Sequence, residues 1–384
     1  MSMVIMDRRL NQPARKAVAM ISIRQGLPER FKQAFTTRRV DFNRGTRLLD
    51  GPGIKPKAGD VVLAEVTRLG QHTGLQAPNG RRASLFAGDL VAVAYGNRYA
   101  TDQFEAHVPE DLRPCDLVAA GGIAGREVAR HSKMSEPTQL RPIGLLADCT
   151  GQRMNLADFR LADARPTGAT PTIAVLGTQM NSGKTTAATN TIRGLVTAGY
   201  RVGAAKVTGT GASADVSSFR DAGACQVLDF TDAGFATTYK AALADVKTGA
   251  RLLLGHLEAS GADVIVLEVA DGLYQSETAA LVGDAEFRAL IDIVLFAACD
   301  GLSAVQGVEV LNRQGLVASA VTGLFTASAL AMREVEMNCP ASVVHTARLL
   351  DSECAAGLLH RREVKQVSAD AAQLPPTLTQ QVGA

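Results

Sequence analysis

Thr172-Ile173-Ala174-Val175-Leu176 runs directly into Gly177-Thr178-Gln179-Met180-Asn181-Ser182-Gly183-Lys184-Thr185-Thr186. The first five residues are apolar and β-branched, the pattern of a short buried strand. A helical pattern follows from Ala187 to Ala198 and stops at Gly199. Strand, glycine-bounded loop, Gly-Lys-Thr and helix, in that order, build a cradle for phosphate. Backbone N–H groups of the loop and of the helix N-terminus turn toward the anion. Gly183 lets the backbone approach closely, Lys184 brings a point charge to the β- and γ-phosphates, and Thr185 offers a hydroxyl to Mg²⁺. Gly177, Thr178, Asn181, Ser182, Gly183, Lys184, Thr185 and Thr186 are therefore the candidate nucleotide contacts. The common spacing would put the first glycine at Thr178; here it is Gly177, with five residues before Gly183.

Outward from this loop, apolar runs alternate with longer helical stretches to about residue 350. That alternation predicts an α/β fold with a mostly parallel sheet flanked by helices. The run after Gly199 ends in Lys206, then Val207-Thr208-Gly209-Thr210-Gly211. A lysine at the C-terminal end of a strand lies at the crevice where open α/β sheets bind ligands; a solvated strand end is the plainer alternative. Ala262 to Leu267 is a buried strand ending in Glu268, where such a fold needs a carboxylate for Mg²⁺. Asp271, just beyond, reads as a second metal contact, an acceptor-orienting group, a base, or an Asp-Gly turn. Asp215 precedes Val216-Ser217-Ser218 and reads either as a contact to Mg²⁺ through water or to substrate, or as a helix N-cap.

The spacing Gly177-Thr178-x-x-x-x-Gly183-Lys184-Thr185 resembles the phosphate loop of dethiobiotin synthetase, in the P-loop group that also holds nitrogenase iron-protein-like ATPases and signal-recognition GTPases. Two further stretches extend the likeness. Lys206 falls on that family's Lys-Pro loop facing acceptor and γ-phosphate, with Val207 in place of Pro. Val266-Leu267-Glu268-Val269-Ala270-Asp271-Gly272-Leu273 is similar to its Val-Glu-Gly-Ala-Gly-Gly-Leu segment, with Glu268 on the metal-binding Glu. Asp215 to Ala224 resembles a segment of the molybdopterin-guanine-dinucleotide adaptor GTPases. The resemblance covers about residues 172–350. It implies an ATP- and Mg²⁺-dependent enzyme that activates a small carboxylate- or amine-type acceptor, as a kinase or ligase, and acts as a homodimer. Lys184, Lys206 and Asp271 would be catalytic. Thr185, Glu268 and Asp215 would hold the metal, and Thr208, Thr210 and Gly211 the substrate. The alternative is a nucleotide-hydrolysing switch whose N-terminal domain binds a partner protein or RNA. Strand Leu316–Val321 ends in Thr322-Gly323, where related folds carry a base-reading Asn or Lys-Asp, so ATP is favoured over GTP only by the loop match.

The N-terminal half reads differently. Residues 1–54 form a basic segment of mixed structure, with a leading strand Val18–Ile23 followed by a helix and a loop. Its Arg24–Asp50 stretch holds six Arg and one Lys, most simply a solvated surface. Residues 55–150 carry short apolar runs punctuated by Pro78, Asn79, Gly80 and Gly88, and predict a β-rich small barrel or sandwich. The polar run Gly96 to Glu105 reads as either a site-lining loop or a turn. Residues 151–171 read as a linker, 172–360 as the P-loop domain and 361–384 as a flexible tail.

Composition narrows the function classes. The chain has 384 residues, 46% hydrophobic and 20% charged, so it is globular rather than disordered. Net charge is +2, which counts against a general polyanion binder, and 4% aromatics with no Trp counts against base stacking. The six Cys form no C-x-x-C pair, and the six His form no zinc motif. Leu290–Val305 is interrupted by Asp292, Asp300 and Gly301, so no membrane span is expected. The first 30 residues do not read as a secretory signal, and the expected location is the cytoplasm.

Overall fold

The computed structural model describes residues 19–22, 31–45 and 47–360. Five strands of the N-terminal half, Val61–Arg68, Leu90–Tyr95, Ile123–Arg130, Cys115–Ala119 and Thr138–Ala147, pair in a closed ring. The β-rich half is therefore a small barrel. All the pairings are antiparallel except Leu90–Tyr95 with Ile123–Arg130, which is parallel. The pleat sends Val62, Ala64 and Val66 into the barrel with Val91, Val93, Leu117 and Leu140. Val61 and Leu63 point the other way, into a second cluster with Ile123, Leu146, Met154, Leu156 and Ala236. Ala236 belongs to the C-terminal half, so one barrel wall is covered by the other unit.

The leading strand occupies Ala19–Ser22 and pairs with Arg47–Asp50; Val18 and Ile23 lie outside the described residues, as does the expected tail 361–384. Between these strands the described residues form no α-helix. Phe31–Gln33 is a strand beside Leu90–Tyr95, followed by 3-10 turns Phe35–Thr37 and Phe42–Arg44. The reason is burial: Phe35 is 1% exposed and packs into the core of the C-terminal unit.

Arg38, three residues on, clamps the two units together. Its guanidinium donates to Asp229 at 3.0 Å and to Asp232 at 2.7 Å, and lies 4.2 Å from the centre of the Phe35 ring. Burial pushes the Asp232 carboxyl up, and the neighbouring charge of Asp229 adds to it. Without Arg38, two buried carboxylates would face each other with only the more distant Arg39, 3.7 Å from Asp232, as a counter-charge. Arg38→Ala is expected to cost about 3 kcal/mol. Thermal unfolding checks this, and an unchanged midpoint would contradict it.

The C-terminal unit is a seven-stranded parallel sheet. Its order is Gln226–Asp229, Val202–Lys206, Val264–Glu268, Thr172–Gly177, Ile293–Ala298, Ala320–Gly323 and Ser342–Val343. Strand residues alternate between two cores, as a sheet covered on both faces requires. Ile173, Val175, Val264 and Val266 meet helices Lys184–Thr197 and Ser213–Asp221. Leu176, Ile265, Leu267 and Phe296 meet Leu243–Ala259 and Gly301–Arg313. The expected strand from Leu316 is shorter, Ala320–Gly323, because Gly315 turns the chain at φ +79° and the chain bends at Ser319, whose N–H meets the Val294 carbonyl at 2.8 Å, before the strand begins. No helix among the described residues is long and apolar enough to cross a membrane.

Candidate functional site

The central strand Thr172–Gly177 delivers the loop, and helix Lys184–Thr197 leaves it. Gly183 caps that helix at φ +96°, a left-handed conformation that side chains resist, and no side chain caps the helix start. The N–H groups of the first turn are thus left for an anion. Asn181 also has positive φ, +63°. Ser182 is fully buried and its Oγ has no partner. Thr178 lies 3.7 Å from the Cys299 sulfur, while Thr186 is exposed. Gly177 ends the strand, completely buried.

The Lys184 ammonium donates to the Gln179 carbonyl at 2.7 Å, folding back over its own loop. Burial lowers its pKa, opposed by the charges of Glu268 and Asp271. Lys206 and Glu268 are register partners on adjacent strands. The Lys206 Nζ stands 3.3 Å from Glu268 Oε1 and also bonds to Asp215. Burial alone would lower the pKa of Lys206; the two carboxylates outweigh it and hold it above its usual range. Asp215 sits in the first turn of Ser213–Asp221, whose N-cap is Ala212. Its carboxylate accepts from Thr185 at 3.2 Å and from Lys206, so it faces the loop and does not cap the helix. Against the push of burial, Lys206 holds Asp215 below its usual range, whereas burial raises Glu268.

Glu268 is 1% exposed and its Oε2 has no partner. An orphaned buried carboxylate oxygen beside a threonine hydroxyl and a second carboxylate fits a hard divalent cation. No cluster of three Asp, Glu, His or Cys forms a complete cage among the described residues. That suits Mg²⁺, which takes one or two carboxylates and completes its shell with water and phosphate.

Asp271 lies across from this group. Burial raises its pKa against the pull of Lys184 and Lys206. It lines a narrow recess of about 10 Å³ with Thr208, Thr210, Tyr99, Tyr239 and Glu277. The Thr208 hydroxyl donates to the Ala270 carbonyl. Gly272 lets this segment touch the phosphate loop: a Cβ there would sit 2.3 Å from the Thr178 carbonyl oxygen. Gly211 stands apart from the recess. It packs at the seam, bonded to the Ala236 carbonyl at 3.0 Å and lying against Thr36 and Gly121.

The barrel contributes a wall that no single motif announces. Asp102 accepts from Asn181 of the phosphate loop at 2.9 Å. Tyr99 and Tyr239 meet across the seam at 5.4 Å, and the Tyr239 hydroxyl donates to Glu105 at 3.2 Å. The polarity of the Gly96–Glu105 run was the only sequence signal for these contacts. Behind them, burial first and then the charge of Arg98 push His72 down to about 4 from its ordinary 6.5, with Arg82 adding to it. Between these values the unfolded chain binds more protons, so stability falls as pH drops through that window, by up to about 1.4 kcal/mol per pH unit. His72→Gln is expected to flatten that part of the stability–pH profile; an equal slope in both proteins would contradict the assignment.

The parallel order, the Gly183–Lys184–Thr185 turn and the strand-end carboxylate give the C-terminal unit the arrangement of a P-loop α/β fold. No family model matches the chain, and no curated protein matches it. Among solved structures the chain is similar to the signal recognition particle 54 kDa protein from Aeropyrum pernix K1 in complex with GDP, at 17% identity and TM-score 0.33, covering 54% of this chain and 52% of that one. It is also similar to the hydrogenase maturation factor HypB from Archaeoglobus fulgidus, at 16% identity and TM-score 0.31, covering 52% and 91%. The chain thus spans about half the length of the signal recognition particle structure it matches.

Proposed function

We propose that this protein is an Mg²⁺-dependent enzyme that uses ATP to phosphorylate, and so activate, a small carboxylate- or amine-type acceptor. One observation carries the reading: the unpartnered Glu268 oxygen and the Lys206–Asp215 pair adjoin the phosphate loop, and Asp271 adds a further buried carboxylate on the segment that touches that loop through Gly272.

Bound nucleotide would supply the transferable phosphoryl group, and Mg²⁺ the charge that screens its oxygens. The chain's own groups do the rest. Lys184 and the first-turn N–H groups bind phosphate and stabilise charge as it develops. Thr185, Asp215 and Glu268 hold the cation. Lys206 stands between those carboxylates and the recess, able to orient either phosphate or acceptor. Asp271, whose carboxylate burial makes more basic, is suited to accept a proton from the acceptor or to orient it. Thr208 and Thr210 position the acceptor.

The switch reading has one observation in its favour, the bond between Asn181 and Asp102 that ties loop to barrel. Incubation with ATP and fractionated small metabolites separates the two. Acceptor-dependent ADP formation with a new phosphorylated or ligated product is expected. Slow hydrolysis stimulated only by a protein would overturn the enzyme reading.

A further inference from the structure

Helix Ala329–Asn338 has one face that the fold does not use. Ser328 caps its start, accepting from the Ala331 N–H at 3.3 Å, and Cys339-Pro340 ends it. The inner face is settled. Val335 is 1% exposed, and Ala331 and Met332 pack beside it on the core shared with helix Gly301–Arg313. The outer face holds Leu330, Arg333, Glu334 and Met337, all exposed. That spacing, i, i+3, i+4 and i+7, is one stripe of an α-helix. Leu330 is 64% exposed and Met337 76%. Neither the Arg333 guanidinium nor the Glu334 carboxylate has an ion pair or hydrogen bond among the described residues.

The order of these residues is self-complementary. Apolar side chains stand at both ends of the stripe, and opposite charges stand side by side at its middle. A second copy of the helix can be laid antiparallel, with the two-fold axis between Arg333 and Glu334. Leu330 then meets the partner's Met337, and Arg333 meets the partner's Glu334. Both contacts recur with the roles exchanged, as an isologous interface requires. A slip of one turn would set an apolar end against a charge and leave the ion pairs unmade, so the charges fix the register.

We propose that the exposed stripe of Ala329–Asn338 is a homodimer contact, covered by the same helix of a second copy running antiparallel, with two Arg333–Glu334 pairs at its centre. The helix has 10 residues and spans about 15 Å, too short to bury the roughly 800 Å² per partner of a standard complex. The pairing is therefore weak, with a Kd on the order of 10–100 µM, and copies associate as their concentration rises. Burial of the apolar ends supplies the attraction. The inference stands apart from the nucleotide reading, since none of the four side chains belongs to that site.

Sedimentation equilibrium of the full chain, from about 5 to about 500 µM, tests it. Wild type is expected to be mainly monomer at the low end and mainly dimer at the high end. R333E sets acid against acid at the centre of the contact, and E334R sets base against base. Each is expected to weaken self-association at least about tenfold. An equimolar mixture of the two variants restores both pairs in a mixed dimer and is expected to associate as wild type does. Misfolding of either variant would not give that rescue. The double variant R333E/E334R keeps the net charge and reverses both partners, so it is expected to dimerise like wild type; it decides the matter should a single variant not fold. A wild type that stays monomeric throughout, single variants that dimerise as wild type does, or a mixture and double variant without rescue would overturn the proposal. If wild type is monomeric and removal of residues 361–384 lets it dimerise, the chain's own end covers the stripe and the proposal fails for the intact protein.

Discussion

Lys184→Ala is expected to lower the affinity for Mg·ATP on the order of 100-fold, the value of about 3 kcal/mol for a lost charge-assisted contact to phosphate. The side chain is 5% exposed and bonds only to the Gln179 carbonyl of its own loop. Removing it leaves that carbonyl still accepting from the Ser182 N–H at 3.3 Å and leaves the helix intact, since Lys184 heads a helix held by Ala187, Ile192 and Leu195 in the core. Folding should therefore survive. A buried ammonium also carries a desolvation cost, seen in its lowered pKa, so the variant's thermal midpoint is expected to stay level or rise. Loss of nucleotide binding together with a falling midpoint would point to a structural role instead.

Glu268→Gln is expected to separate binding from turnover. The amide keeps the shape of the strand end but removes the charge that balances Lys206 and would hold Mg²⁺. Nucleotide affinity should change less than about fivefold, while Mg²⁺-dependent turnover falls by about 10²–10³, the range for losing one electrostatic element of a transition state. The Lys206 ammonium would then lean on Asp215 alone. Steady-state assays across Mg²⁺ concentrations check this, and full turnover in the variant would remove Glu268 from the metal site.

Much of the site was legible because each part stands at a chain position with a fixed structural meaning. The Gly183-Lys184-Thr185 turn follows from a strand running into a helix. Lys206 and Glu268 each end an apolar run, and ends of parallel strands gather at one edge. That they are register neighbours needed the strand order, which places Val264–Glu268 between Val202–Lys206 and Thr172–Gly177. The barrel was legible as short apolar runs, but its closure depends on the parallel pairing of Leu90–Tyr95 with Ile123–Arg130, a long-range contact with no local signature.

The seam was the hardest part to read. Arg38 looks like one of several surface arginines until it meets Asp229 and Asp232, whose partnership depends on the docking of two units. Gly211 carried the right composition for a substrate loop, and the structure sets it at the seam, where a Cβ on it would sit 2.6 Å from Thr36. Scarce aromatics counted against base stacking, and the two rings beside Asp271, Tyr99 and Tyr239, lie against each other across the seam. Composition counts residues without saying where the chain spends them.

The central claim is that the loop from Gly177 to Thr186 binds a nucleoside triphosphate with Mg²⁺. Isothermal titration of the intact protein with Mg·ATP, and separately with Mg·GTP, tests it most directly when repeated on Lys184→Ala. The account predicts single-site binding of at least one nucleotide by the wild type and its loss in the variant. No binding of either nucleotide, or equal binding by both proteins, would contradict it.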